Sequence, residues 1–376
     1  MKERRDQMKE RRYAYWLSRV NPIGAVKSRK LLEVAGDYET IYNMKKESLE
    51  TLSFLSETDR KFLLEARANL GRREQELEKM EAEGIRMLLP SEEEYPERLK
   101  NIYDMPACLF VKGDLPEDRV PSAAIIGARS CTAYGRQEAE YLGKMLAEAG
   151  VSVISGLALG VDGAAHRGVL AAGKVSVFGR PFAVLGSGID ICYPANHRRL
   201  YQEISQAGGI ISEYGPGEPP TPTHFPVRNR IISGLADAVI VVEARKRSGS
   251  LITADLALEQ GKEVFALPGR RTDPLSAGCN RLIQQGAAIV TEPEELLDFF
   301  RIKYKKTGKD HKNSVNGLAK TEKMVYSFLD STPKHVEVIM ERCRLSVGEC
   351  MTALLNLEMN GYIIQPFNHY YARKLE

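Results

Sequence analysis

From residue 85 onward, short segments that are apolar at almost every position alternate with segments of helical spacing. The apolar segments have the length and composition of buried strands. The predicted strands are 85–89, 107–111, 123–126, 151–154, 182–185, 209–212, 238–243, 263–267 and 288–290. The predicted helices are 135–149, 197–206, 228–235, 252–260, 278–285 and 292–300, with one more that starts near residue 163. This alternation predicts an α/β fold with a mostly parallel sheet covered on both faces, and the first two strands are expected at its edge.

The pattern before residue 83 is different, because apolar positions there recur at helical spacing only. Residues 1–82 are therefore predicted to be helical. A turn signal at 21–24 separates two of these helices, and such a turn can form a helix-hairpin-helix that contacts phosphates. A small helical bundle is the favoured interpretation, because the turn lacks the second glycine that such hairpins usually contain.

The last segment, 318–376, has three helical periods followed by a β-like hairpin, which is the winged-helix pattern. A basic, polar linker at 303–317 precedes it. The helix at 347–359, in the position of a recognition helix, contains Glu349 and Glu358 but no Lys or Arg. A helix that reads a DNA groove normally brings positive charge to the phosphates, so protein contact is favoured over DNA reading here.

The composition limits the classes of protein that this chain can belong to, but it does not identify a binding partner. The 376 residues have a formal net charge of +3, which is too small to identify a polyanion partner. The six cysteines include no C-x-x-C pair, which fits a reducing compartment and argues against disulfides and a zinc site. No apolar run approaches about 18 residues and the start has no signal-peptide pattern, so a cytoplasmic protein without a membrane segment is expected.

Glycine-rich turns follow several strands, at the edge where parallel strands end. Gly127, Arg129 and Ser130 follow the third predicted strand, and Ser155 and Gly156 follow the fourth. Each turn opens a helix, where free backbone N–H groups and the helix dipole favour anions. Because turns on neighbouring parallel strands lie side by side, they predict one anion-binding crevice.

Two polar residues follow the second turn. Asp162 is interpreted mainly as a cap for the free N–H groups of the next helix. His166, four residues later, is expected to bond Asp162 or to reach a phosphate. One Asp and one His make neither a metal site nor a nucleophilic triad, so no metal, cofactor or catalytic group is predicted.

Later turns add an aromatic ring and further cations to the same edge. Phe225 offers a face on which a base can stack, while Arg228 and Arg230, which flank Asn229, can pair with phosphates. Cations, hydroxyl groups and a glycine complete the edge, and these are Lys246, Ser248, Gly249, Ser250, Thr253 and Arg270. The turns together predict a track that holds several phosphates.

The ordered set of motifs at 127–287 strongly resembles the DNA-processing protein A family, also called DprA or Smf. In chain order the motifs are G-x-R-S, S-G-x-A-x-G-x-D-x-x-A-H, G-S-G-x-D-x-x-Y-P, F-P-x-R-N-R-I-I-S-G-L, V-V-E-A…S-G-S-L-I-T-A and P-G…G-x-N-x-L-I-x-x-G-A. The set is specific although each motif alone is not. The helical start is similar to the family's SAM-like domain, and the end looks like its winged-helix domain.

The resemblance implies an extended Rossmann domain that binds single-stranded DNA without sequence preference and has no enzymatic activity. It implies a helical SAM-like domain at 1–82, the Rossmann domain at 83–302, a linker at 303–317 and a winged-helix domain at 318–376. It also implies a homodimeric recombination mediator of natural transformation, which protects incoming single strands and helps load RecA onto strands coated by single-strand-binding protein. The family's positively charged pocket maps to the turns at Gly127, Arg129, Ser130, Ser155, Gly156, Arg228, Asn229, Arg230, Ser248, Gly249 and Ser250.

One segment departs from the family pattern. The link at 173–181 is several residues longer than the usual G-x-T. It joins a helix to the next strand, and such links lie at the amino ends of strands, away from a ligand crevice. We therefore expect it to spare the pocket while changing dimer or partner contacts.

Two functions of other classes remain open on the residues alone. A nucleotide-binding or nucleotide-hydrolysing enzyme could use Asp162, His166, Glu213 or Glu243 as acid–base groups. A sensor could bind a small nucleotide in the crevice and use the winged helix as its output.

Overall fold

The computed structural model describes residues 2–21, 23–173, 179–303 and 317–374, without the side chains of residues 2–9. The strands of its main sheet are β1 (Ile85–Leu88), β2 (Leu109–Gly113), β3 (Ser122–Ile126), β4 (Ser152–Ser155), β5 (Pro181–Leu185), β6 (Gly209–Ser212), β7 (Ala238–Val241), β8 (Glu263–Ala266) and β9 (Ala288–Ile289). Their order is β1-β2-β6-β5-β4-β3-β7-β8-β9. β2 pairs antiparallel with both β1 and β6, and every other neighbouring pair is parallel. The predicted mostly parallel sheet, with its first two strands at one edge, is confirmed.

Helices cover both faces of this sheet. They are α7 (Glu97–Lys100), α8 (Ala133–Glu148), α9 (Val161–Ala171), α10 (Arg198–Ala207), α11 (His224–Leu235), α12 (Gly249–Glu259), α13 (Ala277–Gln284) and α14 (Glu295–Phe299). Ala123 and Ile125 of β3 share a core with α8 and α9, whereas Ala124 and Ile126 share a core with α11 and α12. This alternation is the period of a strand that is buried on both faces.

Helix α11 begins four residues earlier than the sequence pattern predicted. It starts at His224, and Pro226 lies in its first turn, where the missing N–H breaks no helical hydrogen bond. The earlier start places Phe225 on the helix itself, at the carboxyl edge of the sheet.

The described part of the first 82 residues is helical, as predicted. Its helices are α1 (Lys2–Ser18), α2 (Ala25–Ala35), α3 (Tyr38–Asn43), α4 (Lys46–Glu50), α5 (Glu57–Ala66) and α6 (Leu70–Ala82). In the predicted turn between α1 and α2, Pro22 lies outside the described residues. Tyr15 lies edge-on to Phe110 of β2, with 5.9 Å between ring centroids, so these helices and the sheet share one hydrophobic core.

The C-terminal segment forms the predicted three helices and hairpin. The helices are α15 (Lys320–Phe328), α16 (Val336–Cys343) and α17 (Val347–Met359), and the strands are β10 (Lys334–His335), β11 (Ile363–Phe367) and β12 (Tyr370–Arg373). These strands form a separate sheet of order β10-β12-β11 over a separate hydrophobic core. β10 was not predicted, because two residues show no periodicity. The predicted linker lies almost entirely at 304–316, outside the described residues.

The long link at 173–181 is described only at its ends, because 174–178 lie outside the described residues. It follows α9 and leads to Pro181, the first residue of β5. Its flanks therefore lie at the amino end of β5, at the edge of the sheet opposite the glycine-rich turns. Separately, no helix in the described part of the chain is both long enough and apolar enough to cross a membrane.

Candidate nucleic-acid interface

The turns after β3, β4 and β5 meet the start of α11 at the carboxyl edge of the sheet. The Nη1 atom of Arg228 donates hydrogen bonds to the carbonyl oxygens of Gly156, at 3.0 Å, and Val184. The ring of Phe225 lies over Gly186, where a Cβ atom would stand 2.8 Å from its Cδ1 atom. Glycine is therefore needed at this position for the ring to pack so closely.

An arginine and two aromatic rings lie together at the surface of this edge. The guanidinium carbon of Arg129 is 5.0 Å from the ring centroid of Phe225, and the rings of Phe225 and Tyr193 are 5.5 Å apart. Arg129 is exposed, Phe225 is half-buried and 45% of Tyr193 is exposed. We call these three residues the aromatic–arginine cluster. Its rings can stack on bases and its guanidinium can pair with a phosphate.

Tyr193 was missed as a site residue by sequence reasoning. It belongs to the motif G-S-G-x-D-x-x-Y-P, which the sequence shows only as a turn after a strand. The peptide bond between Tyr193 and Pro194 is cis. The signal that identifies Tyr193 is its contact with Phe225, which is 32 positions away in the chain and becomes visible only in the folded protein.

Arg228 is not on the surface of the crevice, contrary to the prediction. It is only 4% exposed, and its Nε atom donates to the Oδ1 atom of Asn229 at 3.2 Å. Burial lowers the pKa of Arg228 to about 10, although the nearby Asp162 opposes this shift. Arg228 therefore anchors α11 to the ends of β4 and β5.

Arg230 is also buried, so the structure does not place it on the exposed track that the sequence predicted. Its Nη2 atom lies 2.7 Å from a carboxylate oxygen of Glu213, and its Nε atom lies 2.8 Å from one of Asp104. Burial alone would lower the pKa of Arg230, but these two carboxylates outweigh it and the pKa is raised. The ion pairs hold α11 to the turn after β6 and to the loop after α7.

The turn after β4 satisfies its own polar groups. The hydroxyl group of Ser155 is buried and donates to the carbonyl oxygen of Ile125 at 2.6 Å. The N–H group of Gly156 donates to the Oδ2 atom of Asp162 at 3.1 Å. The hydroxyl hydrogen of Ser155 and the N–H group of Gly156 are therefore both engaged within the protein, and their phosphate-binding role remains a prediction.

Asp162 was expected to cap the helix that follows it, but it does not. The N-cap of α9 is Gly160, at φ 79°, and Asp162 lies one residue inside the helix with its carboxylate turned back to Gly156. Burial raises the pKa of Asp162, while Arg228 opposes this shift. Asp162 holds the turn closed from within.

His166 lies inside the molecule, so it reaches neither Asp162 nor a phosphate. It has no exposed surface, and neither ring nitrogen has a hydrogen-bond partner among the described residues. Burial lowers the pKa of His166 to about 3, with smaller effects from His197 and Arg167. The imidazole is neutral in the folded protein under ordinary conditions.

Glu243 connects two turns of the edge. It lies after β7, and its carboxylate accepts the N–H of Thr132 at 2.8 Å and the hydroxyl of Thr132 at 2.5 Å. Thr132 in turn caps α8 by accepting the N–H of Gly135 at 3.0 Å. The sequence indicated Glu243 only as a possible acid–base group, whereas the structure gives it a role in positioning the loop that contains Arg129.

The turn after β7 has an exposed basic part and a buried polar part. Lys246 and Gly249 are exposed. Ser248 caps α12 by accepting the N–H of Ser250 at 3.3 Å, and the two hydroxyl groups are 2.6 Å apart. Thr253 is buried and bonds the carbonyl oxygen of Gly249, so its hydroxyl group is not on the surface.

Fewer of the predicted cations are therefore exposed at this edge than the sequence indicated. Arg129, Lys246 and Arg270 are exposed, whereas Arg228 and Arg230 are buried. In the described part of the chain, no group of His, Cys, Asp and Glu side chains could hold a metal ion.

Comparison with family models matches two segments of the chain. Residues 86–301 match the model described as DNA recombination-mediator protein A, and residues 309–365 match the model described as the DprA winged helix domain. The first match alone covers more than half of the chain.

Known proteins are similar over the same segments. The Smf protein of Synechocystis is 30% identical over 398 aligned positions, which cover 96% of this chain and 98% of its own. The DNA processing protein DprA of Streptococcus pneumoniae is 46% identical over 206 residues, 55% of this chain and 71% of its own. The X-ray structure of DprA from that species has a TM-score of 0.65 at 34% identity and covers 78% of this chain and 97% of its own.

A second solved structure carries information about a ligand. It is the DNA processing protein A of Helicobacter pylori, described for its single-stranded DNA binding mode. The similarity has a TM-score of 0.52 at 32% identity and covers 58% of this chain and 95% of that one.

Proposed function

The chain belongs to the family of DNA recombination-mediator protein A, which includes the DprA and Smf proteins, and we propose that it binds single-stranded DNA without sequence preference. The observation that carries this proposal is the aromatic–arginine cluster at the carboxyl edge of the sheet. The single-stranded DNA binding mode of the Helicobacter pylori relative supports it.

The cluster suits an unpaired strand better than a duplex. The rings of Phe225 and Tyr193 are open to solvent in part, and a base can stack on them only when it is not paired and stacked within a duplex. Every base has a π-face, so stacking discriminates little between sequences. Arg129 lies beside the rings, where a phosphate follows each stacked base, and Lys246 and Arg270 are further exposed cations of the same edge.

The family membership supports a finer proposal about the biological role. The protein acts as a recombination mediator in natural transformation: it protects incoming single strands in the cytoplasm and helps load RecA where single-strand-binding protein covers them. It does so as a homodimer. The mixed α/β fold and the winged-helix segment that the relatives share support this role.

We propose that the protein is not an enzyme, because the candidate acid–base groups of the edge are each engaged in structure. Asp162 holds the N–H of Gly156, and Glu243 holds Thr132. Glu213 pairs with Arg230, and His166 has no surface. Incubation of the pure protein with a panel of nucleotides tests this proposal, and turnover that Glu243→Gln abolishes would overturn it.

The experiment that tests strand binding is a fluorescence-anisotropy titration with labelled single-stranded and double-stranded oligonucleotides. Arg129→Ala removes a charge-assisted contact, so we expect about a tenfold loss of affinity for single strands of every sequence. Arg119→Ala is the matched control, because Arg119 is exposed just before β3, at the opposite edge of the sheet. Equal losses for the two variants, or tighter binding of the duplex, would contradict the proposal.

A further inference from the structure

Two neighbouring loops at the carboxyl edge of the sheet are rich in exposed cations. One loop, at 244–249, follows β7, and the other, at 268–276, follows β8, which pairs with β7. The only carboxylate on them is that of Asp273. Their cations make no ion pair and no side-chain hydrogen bond within the described part of the chain. We call these exposed cations the basic patch, and they are Arg245, Lys246, Arg247, Arg270 and Arg271.

An asparagine on α13 fixes the second of these loops. The side-chain amide of Asn280 accepts the N–H of Gly269 at 3.1 Å and donates to the carbonyl oxygen of Gly269 at 3.0 Å. It thus holds both main-chain groups of the residue directly before Arg270. Ser276 packs on the same glycine, where an added Cβ atom would stand 2.6 Å from the Cβ atom of Ser276. The loop is therefore held against the start of α13.

Main-chain hydrogen bonds join the two loops to each other and to the loop after β3. The N–H of Ala244 donates to the carbonyl oxygen of Leu275 at 2.7 Å, and the N–H of Gly278 donates to that of Ala244 at 2.8 Å. On the other side, the N–H of Ala128 donates to the carbonyl oxygen of Glu243 at 2.7 Å. Paired strands are about 4.8 Å apart, so β8 lies about 10 Å from β3. The edge is therefore continuous from the loop of Arg129 to the basic patch.

We propose that the basic patch binds the phosphate backbone of a single strand beyond the aromatic–arginine cluster, and that Asn280 is the residue that positions this contact. The inference rests on the proposed strand binding. β3 and β5 support the cluster, and β7 and β8 follow β3 on the side away from β5, so one strand can lie across both sites. The two loops contain no aromatic residue, so they offer charge to phosphates but no ring to bases.

The surroundings of the basic patch favour a strand over an acidic protein as its ligand. Protein interfaces depend on buried aromatic or apolar anchors, and these loops have no aromatic residue, while Leu275 is half-buried. A phosphate backbone needs no such anchor, because guanidinium groups pair with its oxygens directly. A strand that occupies the cluster also meets the patch on the same edge, without a second binding event.

The salt dependence of binding to labelled oligo-dT tests the basic patch. Each phosphate neutralised on a single strand contributes about 0.7 to the slope of log affinity against log salt. The double-arginine variant, Arg270→Gln with Arg271→Gln, should therefore make this slope shallower by about 1.4. Both side chains are exposed, so this variant should fold normally. A slope equal to that of wild type would overturn the proposal.

The role of Asn280 is tested by a change that removes no charge. Asn280→Ala should make the slope shallower by about 0.7 or more, because the loop no longer holds its arginines in place. Asn43→Ala is the matched control, because the Nδ2 atom of Asn43 also donates to a main-chain carbonyl at 3.0 Å. In the double-arginine variant, Asn280→Ala should have no further effect on affinity. An equal loss in both backgrounds would overturn the positioning role.

Gly269→Ala disturbs the same loop without changing Asn280, since its methyl group would collide with Ser276. It should also make the slope shallower, and it decides the question where Asn280→Ala does not fold. An unchanged slope for Gly269→Ala would show that the position of the loop does not matter, and it would overturn the role assigned to Asn280.

The length of the strand separates this inference from the proposed function. Wild type and the double-arginine variant should bind the shortest oligo-dT strands alike and should differ once a strand spans both sites. Equal affinities at every length would overturn the patch and leave the cluster in place, whereas no strand of any length would bind if the proposed function were wrong. Polyglutamate that binds wild type but not the variant, while both bind strands alike, would assign the patch to an acidic protein and overturn the proposal.

Discussion

Arg228 and Arg230 belong to one short motif with Arg129 nearby in space, yet only Arg129 is exposed. The sequence placed all three on the surface, because it shows charge but not burial. Arg228 bonds main-chain carbonyls, and Arg230 pairs with carboxylates from two distant segments. The motif does not reveal these partners, because they reach the two arginines only when the sheet has formed.

Tyr193 gives a sharp prediction about stacking. Tyr193→Ala removes a partly exposed ring, so we expect the affinity for single strands to fall about fivefold or more. Tyr193→Phe keeps the ring and should retain the affinity. Tyr103→Ala is the control, because Tyr103 is also exposed and lies beside an arginine, Arg29, outside the cluster. The measurement is anisotropy with the same labelled oligonucleotide, and loss of binding with Tyr193→Phe would count against stacking.

The buried imidazole of His166 predicts how the stability of the protein changes as the pH falls. Its pKa is about 3 in the folded protein and about 6.5 in the unfolded chain, so between these values the unfolded chain binds a proton that the folded chain does not. The stability that rests on neutral His166 is present above about pH 6.5 and is lost as the pH falls toward 3, by up to about 1.4 kcal/mol per pH unit. Urea unfolding of wild type and His166→Leu over this range checks it. The free energy of unfolding of wild type should fall relative to that of His166→Leu as the pH falls, and a difference that does not change with pH would contradict the assignment.

Strands and helices of the main sheet were predictable, because continuous apolar runs and helical periods are local properties of the chain. The predicted start of α11 was four residues too late, and the structure shows that Pro226 is accommodated in the first turn of the helix. The bridge from Glu243 to Thr132 was not predictable, since it joins segments 111 positions apart. The loop that contains Arg129 is therefore shaped by an element that lies elsewhere in the sequence.

A double-mutant cycle measures this bridge. Thr132→Val removes the hydroxyl that caps α8, which costs about 1 kcal/mol of stability, and Glu243→Gln removes the charge that accepts from it. We expect the two changes to be coupled by about 1 kcal/mol in urea unfolding, because both act on the bond between the Thr132 hydroxyl group and the side chain of residue 243. Thr132→Val with Glu259→Gln should be additive, because Glu259 is exposed at the end of α12. Additivity of the Thr132 and Glu243 changes would show that the bridge contributes nothing.

At the scale of the whole molecule, the strand order places β3 between β4 and β7, so turns from distant parts of the chain form one edge. The sequence predicted that edge, but two of the cations assigned to it, Arg228 and Arg230, are buried. It also treated the first 82 residues as a separate unit, whereas their helices share a core with the sheet. That each predicted segment folds as an independent domain remains a prediction.

The burial of Arg230 has a result that can be measured in the salt dependence of binding. Each phosphate neutralised on a single strand contributes about −0.7 to the slope of log affinity against log salt. Arg129→Ala should therefore make the slope shallower by about 0.7. Arg230→Gln should leave the slope of the folded protein unchanged, because its carboxylate partners already neutralise Arg230. Titrations at several salt concentrations check this. A shallower slope for Arg230→Gln would show that Arg230 does neutralise a phosphate of the strand.

The glycine beneath Phe225 offers a tool for genetics. A methyl group at position 186 would stand 2.8 Å from the Phe225 ring, and the ring would have to move away from the position where it meets Arg129. Gly186→Ala changes no charge and no hydrogen-bonding side chain. If the proposed strand binding depends on this ring, cells that carry Gly186→Ala should contain normal amounts of folded protein with a lower affinity for single strands.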